Sequence, residues 1–344
     1  MKNIRVLLAL AVIILGSIPG YAQEANPGYK IVNRFNVGGE GGWDYLAVDD
    51  IYGRVFMSHS MVVNVVDQAS GKLLATIPNT KGVHGIAVAG DIGKAFISNG
   101  RDTSVTVIDL KSLAFRSRIK VTGMNPDAIL YDRFSHKIFT YNGRSSNATA
   151  IDANTEKVIG TISLDGKPEA PASDGKGLIY VNIEDKSEIQ VINALTLKVE
   201  NTWSIAPGEE PSGLALDNED HVLFSVCSNK LMVVVDALTG KVIKTLPIGD
   251  ECDGAVYDPS MKRVYSSNGE GTMTVVQVAG KNDFRVLGNV PTLEGARTIA
   301  LDMKTHHIYT QTAEYNPPDP NSPNGRPSVK PGTFMLLEIA PMAK

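Results

Sequence analysis

The feature that most constrains this chain is a repeated strand ending in an acid or amide. VNVVD ends at Asp67, VTVID at Asp109, ATAID at Asp152 and IQVIN at Asn193; MVVVD, MTVVQ and FMLLE follow, ending at Asp236, Gln277 and Glu338. The steps between these end residues are 42, 43, 41, 43, 41 and 61. Seven units are therefore present, the last carrying about 20 extra residues. Such a period is the mark of an array whose units bury their faces against one another.

Each unit reads as four short strands. In the second they are GIAV, KAFIS, SVTVID and RSRIKV, separated by Gly, Asp, Asn and Ser. These are strand and turn signals, and long amphipathic helical patterns are absent. Four strands in about 40 residues predict a propeller blade. The first strand of most units is rich in small residues (YLAV, GIAV, AILY, GLAL, GAVY, TIAL), as the crowded axis of a propeller requires. The fourth unit has EAPAS instead, and Pro171 is compatible with an edge strand facing a channel. The expected fold is all-β: a seven-bladed β-propeller with four antiparallel strands per blade. The seventh unit lacks a fourth strand, whereas YKIVNRFNV at residues 29–37 is a spare one. It is predicted to close blade seven from the N-terminal side.

The units IYVN, AFISN, IFTYN and VYSSN, each with its VTVID-like and GKVIKTLPIG-like strands, resemble the YVTN β-propeller repeat family. That family includes YncE-like exported bacterial proteins. The resemblance covers residues 23–344 and implies the fold and a bacterial source. It implies little about chemistry, because the repeated residues are those that build blades.

Residues 1–22 read as a secretory signal. Lys2 and Arg5 precede an apolar run of ten at residues 6–15, and Gly20-x-Ala22 is a small-residue cleavage pattern. The run is shorter than the roughly 20 apolar residues of a membrane span. The expected product is a single propeller domain over residues 23–344, a periplasmic or secreted monomer. Loss of two cations and no acid moves the formal charge from −4 to −6, so nucleic acid is disfavoured as a partner. Cys227 and Cys252 are the two cysteines, and their places in adjacent units leave open one inter-blade bridge or two buried thiols.

Asp49, Asp132, Asp174, Asp217, Asp258 and Asp302 follow the first strands, and Asp67, Asp109, Asp152 and Asp236 end the third; these are read as turn formers. The candidate site is elsewhere. Alignment of the units puts Asp44, His84, Asp127, Glu169, Ser212, Asp253 and Arg297 just ahead of the innermost strand, all polar and different from blade to blade. They should ring one mouth of the channel. His59, Asn99, Asn142, Cys227 and Asn268, at the end of the second strand, are expected as a second ring on that face. Asp44, His84, Asp127 and Glu169 are the candidate ligands of one divalent metal: carboxylates suit Ca²⁺ or Mg²⁺, and the histidine admits Zn²⁺.

The rim also carries GGEGGW, residues 38–43, which lacks the Lys-Ser/Thr of a phosphate loop; Trp43 is read as inter-blade packing, with ligand stacking as the alternative. Six prolines lie in residues 313–332, an extended loop serving as a lid, a docking arm or a neutral insertion. The functional reading is a non-catalytic binding or interaction propeller, using this face for a small molecule, metal or protein partner. The alternative is a metal-dependent, lactonase-like hydrolase or lyase acting on a small cyclic substrate.

Overall fold

The structure, a computed structural model, describes residues 27–317 and 327–342. The signal reading at residues 1–22 lies outside the described residues.

Seven four-stranded antiparallel sheets follow one another, each ordered from an inner strand outward. Blade two shows the pattern: inner strand Val83–Ala89, then Lys94–Asn99, Ser104–Asp109 and outer strand Phe115–Lys120. The inner strands of the other blades are Trp43–Asp49, Pro126–Asp132, Pro168–Ser173, Pro211–Asp217, Cys252–Asp258 and a short Ala300–Leu301. Pro171 lies in an inner edge strand, where no ladder donor is required on the channel side. The middle strands read as unbroken burial, because both of their faces pack between neighbouring blades.

The predicted closure is present. Tyr29–Asn36 is the outer strand of blade seven, antiparallel to Met335–Pro341 from Tyr29↔Pro341 to Asn36↔Met335. Glu338 fastens it: Asn33 Nδ2 donates to Glu338 across 2.6 Å, and His307 Nδ1 and Tyr309 Oη reach the same carboxylate at 2.6 and 3.1 Å. Phe35 also lies over Gly71 in a turn of blade one, where an added Cβ would stand 1.8 Å from its ring and φ is +69°. Trp203, on the outer strand of blade four, lies over Gly240 of blade five in the same way. The N-terminal strand thus contacts the next blade as an ordinary outer strand does.

The core consists of inter-blade seams. Between blades five and six, Phe224 stacks on Tyr257 at 5.9 Å and meets Phe284 edge-on at 5.8 Å, among Val226, Met232 and Val264. Burial of each such side chain is worth about 1.5–3 kcal/mol. The turn aspartates act as read: Asp49 Oδ1 accepts from the amides of Ile51 and Tyr52, and Asp258 Oδ1 from those of Ser260 and Met261. Asp67 accepts from Ser70 through both amide and hydroxyl, and those bonds hold its carboxyl below the usual range.

Cys227 and Cys252 are free and buried, and Cys252 Sγ donates to the Cys227 carbonyl at 3.1 Å. The proline-rich segment is more ordered at its base than its composition suggests. Tyr315 pairs with Val329, Asn316 N donates to Ser328 O, and Lys330 N donates to Glu314 O, so the segment leaves and returns as a short antiparallel stem.

Candidate functional site

A β-bulge in the inner strands of blades one to six aims the predicted ring; Arg297 precedes the short inner strand of blade seven, which is paired without one. Trp43 pairs with His59 and Leu46 with Met57, so blade one spends one extra residue across Asp44 and Tyr45. The same insertion spans His84, Asp127, Glu169, Ser212 and Asp253 in the next five blades. A bulge bends the strand and re-aims its side chains. Here it turns one polar residue per blade toward the channel mouth.

These residues form linked pairs. His84 Nδ1 bonds Asp44 Oδ2 at 2.6 Å and lies 3.6 Å from Asp127 Oδ1. Ligand atoms of Asp44, His84 and Asp127 all lie within 4.8 Å of one another. Arg297 Nε donates to Asp253 Oδ2 at 2.9 Å, and its Nη2 donates to the Trp43 carbonyl at 2.9 Å. Glu169 stands apart from the His84 group, paired with Lys167 at 2.8 Å; the same ammonium also reaches Glu184. Ser212 contributes no charge and donates to the Cys252 carbonyl at 2.9 Å.

Packing this many charges at a narrow mouth shifts their titration. Burial, with the charges of Asp44 and Asp253, pushes Asp127 up to about 7 against the pull of His84. Burial and the neighbouring Asp127 carry Glu169 up to about 8 in spite of Lys167. Burial opposes the His84 cation, but the bond to Asp44 and the charge of Asp127 outweigh it and hold its pKa above the ordinary value. Burial also raises Asp253 despite Arg297.

Below this ring lies a cavity of about 200 Å³ in the central channel, where Gly85, Ala128, Ala170 and Gly213 alternate with aliphatic residues such as Ile86, Ile129, Leu214 and Ile299. Tyr45 crosses it from blade one to pack against the seam between blades three and four. Burial and the charges of Glu169, Asp127, Asp44 and Asp253 raise the Tyr45 phenol well above its ordinary range. The mouth is thus a shallow polar cup over a largely apolar channel.

The second predicted ring is built differently. Asn99 Nδ2 donates to Ser104 and Thr106, Asn142 Nδ2 to Asn147 and Thr149, and Asn268 Nδ2 to Thr272 and Thr274. All three are fully buried and tie the second strand to the third, so they face the hairpin and not the cup. His59 is likewise buried, bonded to Asn64 at 3.1 Å and stacked on Phe334 at 4.0 Å; burial lowers its pKa. The reason is register: each pairs with the buried residue just before the bulge (Trp43, Val83, Pro126 or Cys252), and only the bulged residue that follows turns to the mouth. Trp43 is also a packing residue, its indole donating to Gly295 O at 3.0 Å beside Phe334 and Tyr315. Glycines of GGEGGW take positive φ, 74°, 96° and 107° at Gly38, Gly39 and Gly41, which explains their number.

Sequence reasoning missed several participants. Tyr45 and Lys167 are adjacent to ring residues or nearly so, but only the bulge and the channel bring them into the cup. A further set stitches blades together. Ser98 Oγ donates to the Asp127 carbonyl at 2.5 Å, Asn182 Nδ2 to those of Ser212 and Gly213, and Gln311 Nε2 to those of Asp44 and Tyr45. Each buried side chain caps a carbonyl freed by the bulge of the next blade. Their signal was a polar residue within a second strand that opens on apolar ones, as in AFISN, IYVN and IYTQT.

No protein-family model matches the chain. Antigen Lp49 of Leptospira interrogans serogroup Icterohaemorrhagiae serovar copenhageni (strain Fiocruz L1-130) is 24% identical over 183 residues. That match covers 50% of this chain and 39% of the antigen's length. Solved structures resemble the propeller across nearly its whole length. U3-55K gives a TM-score of 0.73 at 9% identity, covering 90% of this chain and 98% of that one. The WD40 repeats of RRP9 give 0.73 at 9%, covering 92% and 98%. Hydrazine synthase of Kuenenia stuttgartiensis gives 0.67 at 16%, covering 92% and 99%. At these identities the likeness shows the fold alone: the chain is a seven-bladed propeller, and its chemistry rests on its own cup.

Proposed function

We propose that this protein is a binding propeller whose polar cup recognises a small, hydrogen-bonding solute, neutral or singly cationic. The observation that carries the reading is convergence: blades one, two, three, four, six and seven each deliver a charged side chain to one mouth. Five carboxylates (Asp44, Asp127, Glu169, Glu184, Asp253) face three cations (His84, Lys167, Arg297). Such a balance favours a polar solute over an anion, and the cavity of about 200 Å³ below leaves room for one end of it.

The proposal extends to place and kinship. The pattern of residues 1–22 supports export to the periplasm or beyond, and the YVTN-like repeats support kinship with exported bacterial propellers. No helix among the described residues is long and apolar enough to cross a membrane. A protein partner on this face is the alternative occupant, with the proline-rich stem at the rim as its contact.

Thermal-shift titration with glucose, glucosamine and choline tests the cup. At least one probe should raise the melting temperature of the wild type, and the Glu169→Gln/Asp253→Asn double variant should lose that response. No response to any probe, or one unchanged in the variant, overturns the reading.

A second reading is metal-assisted hydrolysis or elimination on a small cyclic substrate. The grouping of Asp44, His84 and Asp127 favours it, with Glu169 available to move a proton. A lactone-opening assay with added Zn²⁺ tests it: turnover lost in Asp127→Asn supports the reading, and no turnover above buffer defeats it.

A further inference from the structure

The grouping of Asp44, His84 and Asp127 has an arrangement that blade building does not require. Three blades each present one ligand atom, one nitrogen and two oxygens, within 4.8 Å of one another. Ligand atoms about 2.1 Å from a common ion stand about 3.0–3.5 Å apart in tetrahedral or octahedral sites. His84 Nδ1 is 2.6 Å from Asp44 and 3.6 Å from Asp127, so movements of a few tenths of an ångström around that nitrogen bring these contacts to metal geometry.

Two further observations point to an ion. Asp127 is largely buried, 15% exposed at the side chain, yet among the described residues its carboxyl accepts no hydrogen bond. Of the cations that act on it, His84 donates to Asp44, and Lys167 is held by Glu169 and Glu184. Second, the other edge of the imidazole is held from outside the group. His84 Nε2 and Asn125 Oδ1 converge over Gly100, 2.6 and 2.7 Å from where a Cβ would stand, and Asn125 favours the protonated ring. A side chain at position 100 would part them. An imidazole whose Nε2–H is fixed by an amide oxygen offers Nδ1 as the lone-pair donor, which is how metal-bound histidines are held.

We propose that Asp44 Oδ, His84 Nδ1 and Asp127 Oδ form a binding site for a first-row divalent ion such as Zn²⁺ or Mn²⁺, with Asn125 positioning the histidine through its Nε2. The inference rests on the cup being a binding site and names a ligand within it. Binding exchanges the proton on Nδ1, and any on the Asp127 carboxyl, for the metal bonds, and these protons are released to solvent. The imidazole nitrogen selects against Ca²⁺, which takes six to eight oxygens. Glu169 is outside the set because Lys167 holds it at 2.8 Å.

The test uses the purified chain stripped with a chelator and titrated calorimetrically with ZnCl₂, MnCl₂ and CaCl₂. One equivalent of Zn²⁺ or Mn²⁺ should bind, at least tenfold tighter than Ca²⁺. Asp127→Asn should weaken that binding at least tenfold. Asn125→Gly, which keeps the left-handed φ of 56° but loses the acceptor, should weaken it about 10–100-fold. Asn125→Asp, which keeps an acceptor, should restore most of it. Wild-type-like circular dichroism of the metal-free variants makes these losses local. Absence of a stoichiometric ion in the wild type overturns the inference, as does uptake unchanged by Asp127→Asn and Asn125→Gly. If glucose, glucosamine or choline still binds the metal-free wild type, the cup stands and only the metal site falls.

Discussion

His84 of blade two donates to Asp44 of blade one across 2.6 Å, while Asp127 of blade three waits 3.6 Å from the same nitrogen. One imidazole therefore lies between two carboxylates that would otherwise repel each other. It receives them from neighbouring blades because the inner strands of blades one, two and three carry their bulges at the same place in the pairing. The contact is both a seam between blades and the centre of the cup.

Removing that imidazole should be felt in stability. His84→Gln deletes the cation and leaves Asp44 and Asp127 facing each other. Hydrogen bonds to charged groups are worth about 1.5–3 kcal/mol, and partial exposure reduces that, so a loss of about 1–2 kcal/mol is expected at pH 7 without metal. Urea unfolding in chelator measures it; an unchanged midpoint would show that the pair contributes nothing to the fold.

The raised carboxyl of Asp127 gives the pH dependence a definite sign. From the ordinary range near 3.8 up to about 7, the folded chain holds a proton on Asp127 that the unfolded chain has released. Stability from this group is therefore present at the acid end of that window and declines as pH rises through it. In chelator, Asp127→Asn should flatten the decline between pH 4 and 7 and unfold no more easily than wild type at pH 8. A variant with the same slope as wild type would assign the pH dependence to other groups.

Closure of the ring depends on one buried carboxylate and one strand. Glu338→Ala leaves Asn33, His307 and Tyr309 without their acceptor, an expected cost of about 3 kcal/mol. Deletion of residues 27–37 should lower the melting temperature far more, since blade seven then exposes an unpaired edge. A melt unmoved by the deletion would refute the clasp.

Cys227 and Cys252 should behave as sealed thiols. Burial pushes both up to about 12, which suppresses the thiolate that reacts. A thiol reagent should label neither in the native protein and both in denaturant, and dithiothreitol should leave the melt unchanged. A drop in melting temperature on reduction would instead reveal a bridge.

The fold was legible because it is written seven times. The period near 42, the small residues of the first strands and the spare strand at residues 29–37 each follow from nearest-neighbour packing, which leaves a local and repeated trace. The turn aspartates were legible for the same reason, since Asp49 and Asp67 bond amides two or three residues away. The ring positions could be aligned because they precede the same strand in every unit.

The direction of the side chains was another matter. Asp44 and His59 both looked like rim residues, yet one opens into the cup while the other stacks against Phe334 in a blade interior. A one-residue bulge decides between them, and no residue type announces a bulge in a strand already rich in Ala and Gly. Repetition along the chain determined the propeller, its closure and the seven polar positions. Tertiary structure alone decided that Asp44, His84 and Asp127 meet while Glu169 turns to Lys167. The Asp44, His84 and Asp127 contacts join residues about 40 apart and depend on the height and twist of adjacent blades, which only the closed ring sets.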